Sequence, residues 1–157
     1  MHFIGLSLSF SRRIVSLPAN LVDQKTTTMN IEHLAIWVED LELMRKFYQT
    51  YFNMVSGEKY TNEKKSYTAY FLSFPNSRSQ IELMHQPDIT EEPVKRGRMK
   101  GIAHFAISVG SKKAVDMLTK QLHTDGYIVA SEPRTTGDGY YESVILDPEG
   151  NSIELCE

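Results

Sequence analysis

The sequence contains a single cysteine, Cys156, so no disulfide can close within the chain. Such usage suits a reducing compartment, and cytoplasmic placement is the expectation. No apolar run approaches the roughly 18 residues of a membrane span. An excess of basic charge is missing too: 17 Lys and Arg face 20 Asp and Glu, for a net charge of −3. That balance argues against nucleic acid as a partner. Nine glycines and six prolines leave no low-complexity stretch. What remains is 41% hydrophobic and 24% charged, the make-up of one compact globular unit.

Two patterns occur twice. Ile31-Glu32-His33-Leu34-Ala35-Ile36-Trp37-Val38 is echoed by Ile102-Ala103-His104-Phe105-Ala106-Ile107-Ser108-Val109, both reading I-x-H-x-A-I-x-V. Ile81-Glu82-Leu83 is echoed by Ile153-Glu154-Leu155. The histidines stand 71 positions apart (33 to 104) and the glutamates 72 (82 to 154). The chain therefore reads as two copies of one module of about 70 residues, each with one His and one Glu on a strand. Alternation puts His33 on a face with Ile31, Ala35 and Trp37, and turns Glu32, Leu34 and Ile36 the other way. Glu82 and Glu154 likewise point away from their apolar neighbours. Two imidazoles and two carboxylates brought in from four strands have the composition of a divalent metal site. An inward Glu without a partner is costly, which strengthens that reading for the set of four.

Between these strands the order repeats. Asp40 is placed to cap a helix to about Phe52, with Leu41, Met44, Phe47, Tyr48 and Tyr51 on one stripe. Strands are expected over Met54–Tyr60, Ser66–Phe74 and Ser79–His85. Residues 87–100 form a linker with a basic cluster, Lys95, Arg96, Arg98 and Lys100. The second module opens with a strand over Ile102–Val109 and a helix capped by Ser111, with Val115, Leu118 and Leu122 inward. Strands follow near Tyr127–Ala130, Tyr140–Leu146 and Ser152–Cys156, the last two joined by the turn Asp147-Pro148-Glu149-Gly150-Asn151. The expected fold class is α+β. It comprises two tandem βαβββ modules, at 29–86 and 101–157. Residues 1–28, with Arg12 and Arg13 after an apolar start, are expected to be an extension outside the fold.

These modules, together with Phe47-Tyr48 and the ending D-P-E-G-N-S-I-E-L, resemble the vicinal oxygen chelate superfamily over Met29–Glu157. That group holds glyoxalase I, extradiol dioxygenases, methylmalonyl-CoA epimerase, fosfomycin-resistance transferases and bleomycin-resistance proteins. The resemblance implies that the sheets of the two modules curl into an incomplete mixed β-barrel around a metal, with His33, Glu82, His104 and Glu154 as ligands of one divalent ion: Ni, Co, Zn or Mn. Glu82 occupies a position unused in the two-His-one-carboxylate members and completes the His-Glu-His-Glu set of bacterial-type glyoxalase I. The implied activity is a metal-dependent lyase or isomerase that chelates two neighbouring oxygens and shuttles a proton through an enediolate. Glu154 is the first candidate for the base and Glu82 its counterpart. A dioxygenase, an epimerase or a non-catalytic bleomycin-resistance-type binder are the alternatives, the first disfavoured by Glu82.

For substrate contacts the resemblance departs from glyoxalase I at two positions. Trp37 stands where an arginine, and Gln86 where an asparagine, would hold glutathione. Trp37 is expected as an apolar wall. In the polar stretch Pro133–Tyr141, Arg134 can pair with an anion, and Thr136 and Tyr141 can donate hydrogen bonds. Both one-chain and homodimeric sites occur in the superfamily, and edge strands pairing across a two-fold axis would make a dimer.

Overall fold

The computed structural model describes residues 30–90 and 96–157. The 1–28 extension and Lys95 of the basic cluster lie outside the described residues. One compact unit covers Ile31–Glu157. Its first half runs β1 (His33–Trp37), α1 (Leu41–Phe52), β2 (Val55–Ser56), β3 (Tyr60–Asn62), β4 (Tyr67–Ser73) and β5 (Gln80–His85). Its second half runs β6 (Phe105–Ser108), α2 (Lys112–Thr124), β7 (Val129–Thr135), β8 (Tyr141–Leu146) and β9 (Ser152–Cys156).

Each half is a mixed sheet with one helix against it. The first sheet has the order β1-β5-β4-β2, with β3 also on β4; the second has the order β6-β9-β8-β7. In both, the opening strand lies parallel to the closing one and the remaining pairs are antiparallel. The helices form where expected. Asp40 accepts from the Glu42 and Leu43 amides at 3.0 and 2.9 Å, and Ser111 from the Ala114 amide at 3.2 Å. Met44, Phe47 and Tyr48 of α1 are buried on Leu72, Ile81 and Leu83, while Val115 and Leu122 of α2 are buried in the same core as Ile145, Ile153 and Leu155. Thr119 is buried as well, because its hydroxyl donates to Val115 O and meets Ser143 Oγ at 2.6 Å.

Three expected elements differ. The Met54–Tyr60 strand is two short pieces: from Ser56/Leu72 to Tyr60/Ala69 the edge advances four residues against three on β4, so one residue bulges out. The Ile102 strand starts only at Phe105, opposite Ile153 near the beginning of β9. The strand expected to end at Ala130 continues to Thr135. Register shifts flank Ser131, and this edge position tolerates Pro133, which lacks an amide hydrogen.

The halves are joined through α1 and the β8–β9 turn. Tyr48 Oη donates to Asp147 Oδ2 at 3.0 Å, and the Glu149 carboxylate accepts from the amides of Glu39 and Asp40 at 2.8–3.0 Å. Phe47 packs on Tyr127 with ring centres 5.0 Å apart, and Tyr51 Oη donates to Asp125 at 2.7 Å.

Candidate functional site

The parallel strand pairs bring each His to its Glu. In the first sheet Ala35 lies across from Glu82; in the second Ala106 lies across from Glu154. Each alanine follows the histidine by two residues and shares its face, and its small side chain leaves room for imidazole and carboxylate to meet. His33 Nε2 is 3.6 Å from Glu82 Oε2, and His104 Nε2 is 3.1 Å from Glu154 Oε1. The I-x-H-x-A repeat thus corresponds to a repeated register.

The first pair is held by groups around it. Tyr67 Oη donates to Glu82 Oε1 at 2.9 Å, and burial followed by that bond pushes the phenol up to about 12. Phe71 stands edge-on to the His33 ring at 5.7 Å. Glu32 hydrogen-bonds His33 Nδ1, which raises the imidazole pKa; the Glu82 charge adds to the effect. With Nδ1 engaged, Nε2 is the nitrogen turned to Glu82, the carboxylate–imidazole arrangement that orients metal-ligating histidines. Alternation had put Glu32 on the far face. It stands just before β1, with its carbonyl accepting from the Gln80 amide at 3.0 Å, and its carboxylate nonetheless reaches His33 Nδ1.

The second pair sits at the mouth of β6, with His104 just before the strand. Cys156 shares the Glu154 face, and burial together with the Glu154 and Glu142 charges raises its thiol pKa. Gly97, at φ +69, lies against this approach. A Cβ there would come within 2.9 Å of the carbonyl oxygen of Ala103, the residue before His104.

Among the described residues, no group of three or more His, Cys, Asp or Glu gathers to hold an ion within one chain. The four ligand candidates are present as two His–Glu pairs, one per module. Of the substrate candidates, Trp37 and Gln86 come together as lining of a cavity of about 630 Å³ beyond the ends of β1 and β5. A smaller cavity of about 210 Å³ separates β1 from β6 and is lined in part by Trp37 and His104. Arg134 is in β7, on the face of Glu154, where it pairs with Glu142 at 3.1 Å. Thr136 belongs to the β7–β8 hairpin, its hydroxyl bonded to Asp138 and to the backbone of Tyr140. Tyr141 faces the other way: alternation along β8 turns it toward α2, where it donates to Asp116 at 2.7 Å.

The sequence profile of the Glyoxalase/Bleomycin resistance protein/Dioxygenase superfamily matches residues 30–155. The chain belongs to this superfamily. Its members commonly bind a divalent metal ion. Among solved structures, glyoxalase I of Leishmania major, described as trypanothione-dependent, is 24% identical, with a TM-score of 0.65 over 83% of this chain and 87% of that one. Glyoxalase I of Zea mays is 25% identical with a TM-score of 0.64 over 80% of this chain, which spans only 43% of the maize protein. A glyoxylase/bleomycin resistance protein/dioxygenase domain from Frankia sp. EAN1pec superposes with a TM-score of 0.69 at 14% identity. Among curated protein sequences nothing matches. These likenesses establish the fold of the superfamily, two sheets and two helices with no closed barrel.

Tyr67 and Glu32 hold the first pair, yet the sequence pattern does not point to Tyr67, and strand alternation turns Glu32 away from His33. Glu32 adjoins His33 directly. Tyr67 is 15 positions from Glu82, and only the β4–β5 pairing reveals it.

Proposed function

We propose that the protein is a divalent-metal-dependent lyase or isomerase of the glyoxalase I kind, acting on a small molecule with oxygens on neighbouring carbons. The observation that carries this reading is the doubled His–Glu pair, at 3.6 and 3.1 Å on strands of matching register. The donor set fits a borderline divalent ion: neutral imidazoles suit Ni, Co, Zn or Mn, and two carboxylates balance its charge. Glu82 and Glu154 are largely buried, and among the described residues neither has a Lys or Arg at ion-pair distance, so a cation supplies the charge each pair lacks.

One chain offers two half-sites, and we assign the complete centre to the first module of one copy and the second module of another. Ile31 and Ile102, equivalent residues of the repeat, are 75% and 70% exposed beside the two pairs, an apolar rim that a second copy covers. A bound metal would polarise both substrate oxygens and acidify the adjoining C–H bond. Glu154 then takes that proton and returns it to the neighbouring carbon, so the substrate is rearranged without gaining or losing electrons. Glu82, fixed by Tyr67, is its counterpart on the opposite side. His33 is oriented by Glu32 and His104 by its place at the mouth of β6.

Elemental analysis of the purified protein, beside its Glu82→Gln variant and a methylglyoxal–glutathione assay, tests this. Near-stoichiometric metal in the parent, and its loss in the Glu82→Gln variant, is the expected result. Metal without turnover keeps the centre and removes glutathione as cosubstrate. No metal after repletion overturns the reading.

A further inference from the structure

Large apolar side chains gather unexpectedly around one opening. Trp37, Ile89 and Met99 are 39%, 42% and 62% exposed, and all three line the cavity of about 630 Å³ beyond β1 and β5, with Val38 and Pro87. Exposed apolar surface concentrated in a concavity is the usual mark of a ligand site. The charge of the lining points the same way. Among the described residues it holds Glu39 and Glu149 against one cation, Arg96. The Arg96 guanidinium already donates to Glu149 O at 2.6 Å and to Asn151 Oδ1 at 3.2 Å. A carboxylate-rich ligand would meet two acids and an arginine committed elsewhere.

The cavity is also placed at a defined distance from the His–Glu pair. Trp37 follows His33 by four residues on one strand face, a rise of about 13 Å. Gln86 follows Glu82 by the same four. A ligand with its oxygens at the pair and an extended chain would end between Trp37 and Gln86. The wall is aromatic along the way: Trp37 stands edge-on to Tyr67 at 6.1 Å, and Tyr67 to Tyr60 at 6.1 Å.

We propose that this cavity is the tail subsite of the substrate and takes an uncharged apolar or aromatic group, so that the substrate class is an apolar vicinal-oxygen compound and not a peptide thiol conjugate. The proposal rests on the metal-site reading above for the position of the reacting oxygens. Trp37 is the chain's only tryptophan, so its fluorescence reads occupancy of the cavity directly.

The experiment titrates the full chain, with and without Ni²⁺, with 1,2-alkanediols and 1-alkanols of four to ten carbons, and with S-methylglutathione. The expected result is a saturable change in Trp37 emission whose Kd tightens about fourfold per added methylene in both series. Nickel should strengthen only the diols. Ile89→Lys, at an exposed position that leaves the fold and the fluorophore intact, should weaken 1,2-decanediol binding at least about tenfold, the cost of charging an apolar wall. Chain-length dependence without a nickel effect supports the subsite and counts against the metal centre. Absence of chain-length dependence, or tighter binding of S-methylglutathione than of 1,2-decanediol, overturns the subsite whatever nickel does.

Discussion

Tyr48 and Asp147 are joined at 3.0 Å across 99 positions of sequence, the helix of the first module bonded to the closing turn of the second. The carboxylate is almost wholly buried; it also accepts from the Glu149 amide, the Asn151 amide and the Asn151 side chain. Burial raises the pKa of both partners. Removing the hydroxyl leaves a buried carboxylate short of a donor, so Tyr48→Phe should cost about 1–3 kcal/mol in urea unfolding. Asp147→Ala removes four accepted bonds and should cost more. A Tyr48→Phe variant as stable as the parent would remove this bond from the account of how the modules hold together.

Glu42 sets an acid limit on stability. Hydrogen bonds from Tyr70, Arg45 and Lys59 lower its carboxyl to about 2 from an ordinary 4.5. Its ionised form is therefore favoured in the folded state. The contribution is complete above pH 4.5 and fades as pH falls toward 2. The group is half exposed, so the gain is held to about 1 kcal/mol. Thermal unfolding of the parent and of Glu42→Gln should differ at pH 6 and converge near pH 2. A constant difference across that range contradicts the assignment.

Tyr67 acts on the first pair through Glu82. Tyr67→Phe keeps the ring against Trp37 and Tyr60 and removes the donor, so metal affinity measured by calorimetry should fall by about tenfold or more, with the fold unchanged. Unaltered affinity would make the hydroxyl a packing feature only.

Gly97 guards the approach to His104. Gly97→Ala places a methyl against the Ala103 carbonyl and a side chain at positive φ. Stability should drop by about 1–2 kcal/mol, and metal affinity should fall as well because Ala103 precedes His104. A drop in stability alone would separate the linker from the site.

The I-x-H-x-A repeat carried the most information in the sequence. The small residue two positions after each histidine anticipates the register that sets Ala35 by Glu82 and Ala106 by Glu154. The helix caps Asp40 and Ser111 were equally legible, because capping is a local bond. Less legible were features set by long-range pairing. The bulge after Ser56 comes from how the β2–β3 edge meets β4, and the extension of β7 through Pro133 from its pairing with β8. The direction of Tyr141 follows from strand alternation once the hairpin is known to end at Tyr140. That the four ligand candidates stand as two pairs was not readable at all, since the same strand pattern serves a site within one chain and a site between two. Glu149 reads locally as part of a turn, yet its carboxylate binds the start of α1 more than a hundred positions away.

The central claim is a metal centre shared between two copies, and the direct measurement is metal content in mixed dimers. One chain carries His33→Ala with Glu82→Gln and the other His104→Ala with Glu154→Gln, coexpressed under different tags and purified through both. Each homodimer has every site broken. In the mixed dimer the intact second module of one chain meets the intact first module of the other, and the account predicts about one ion per dimer, against about two in the parent. A mixed dimer without metal, beside a parent that holds it, would place the site within one chain and contradict the account.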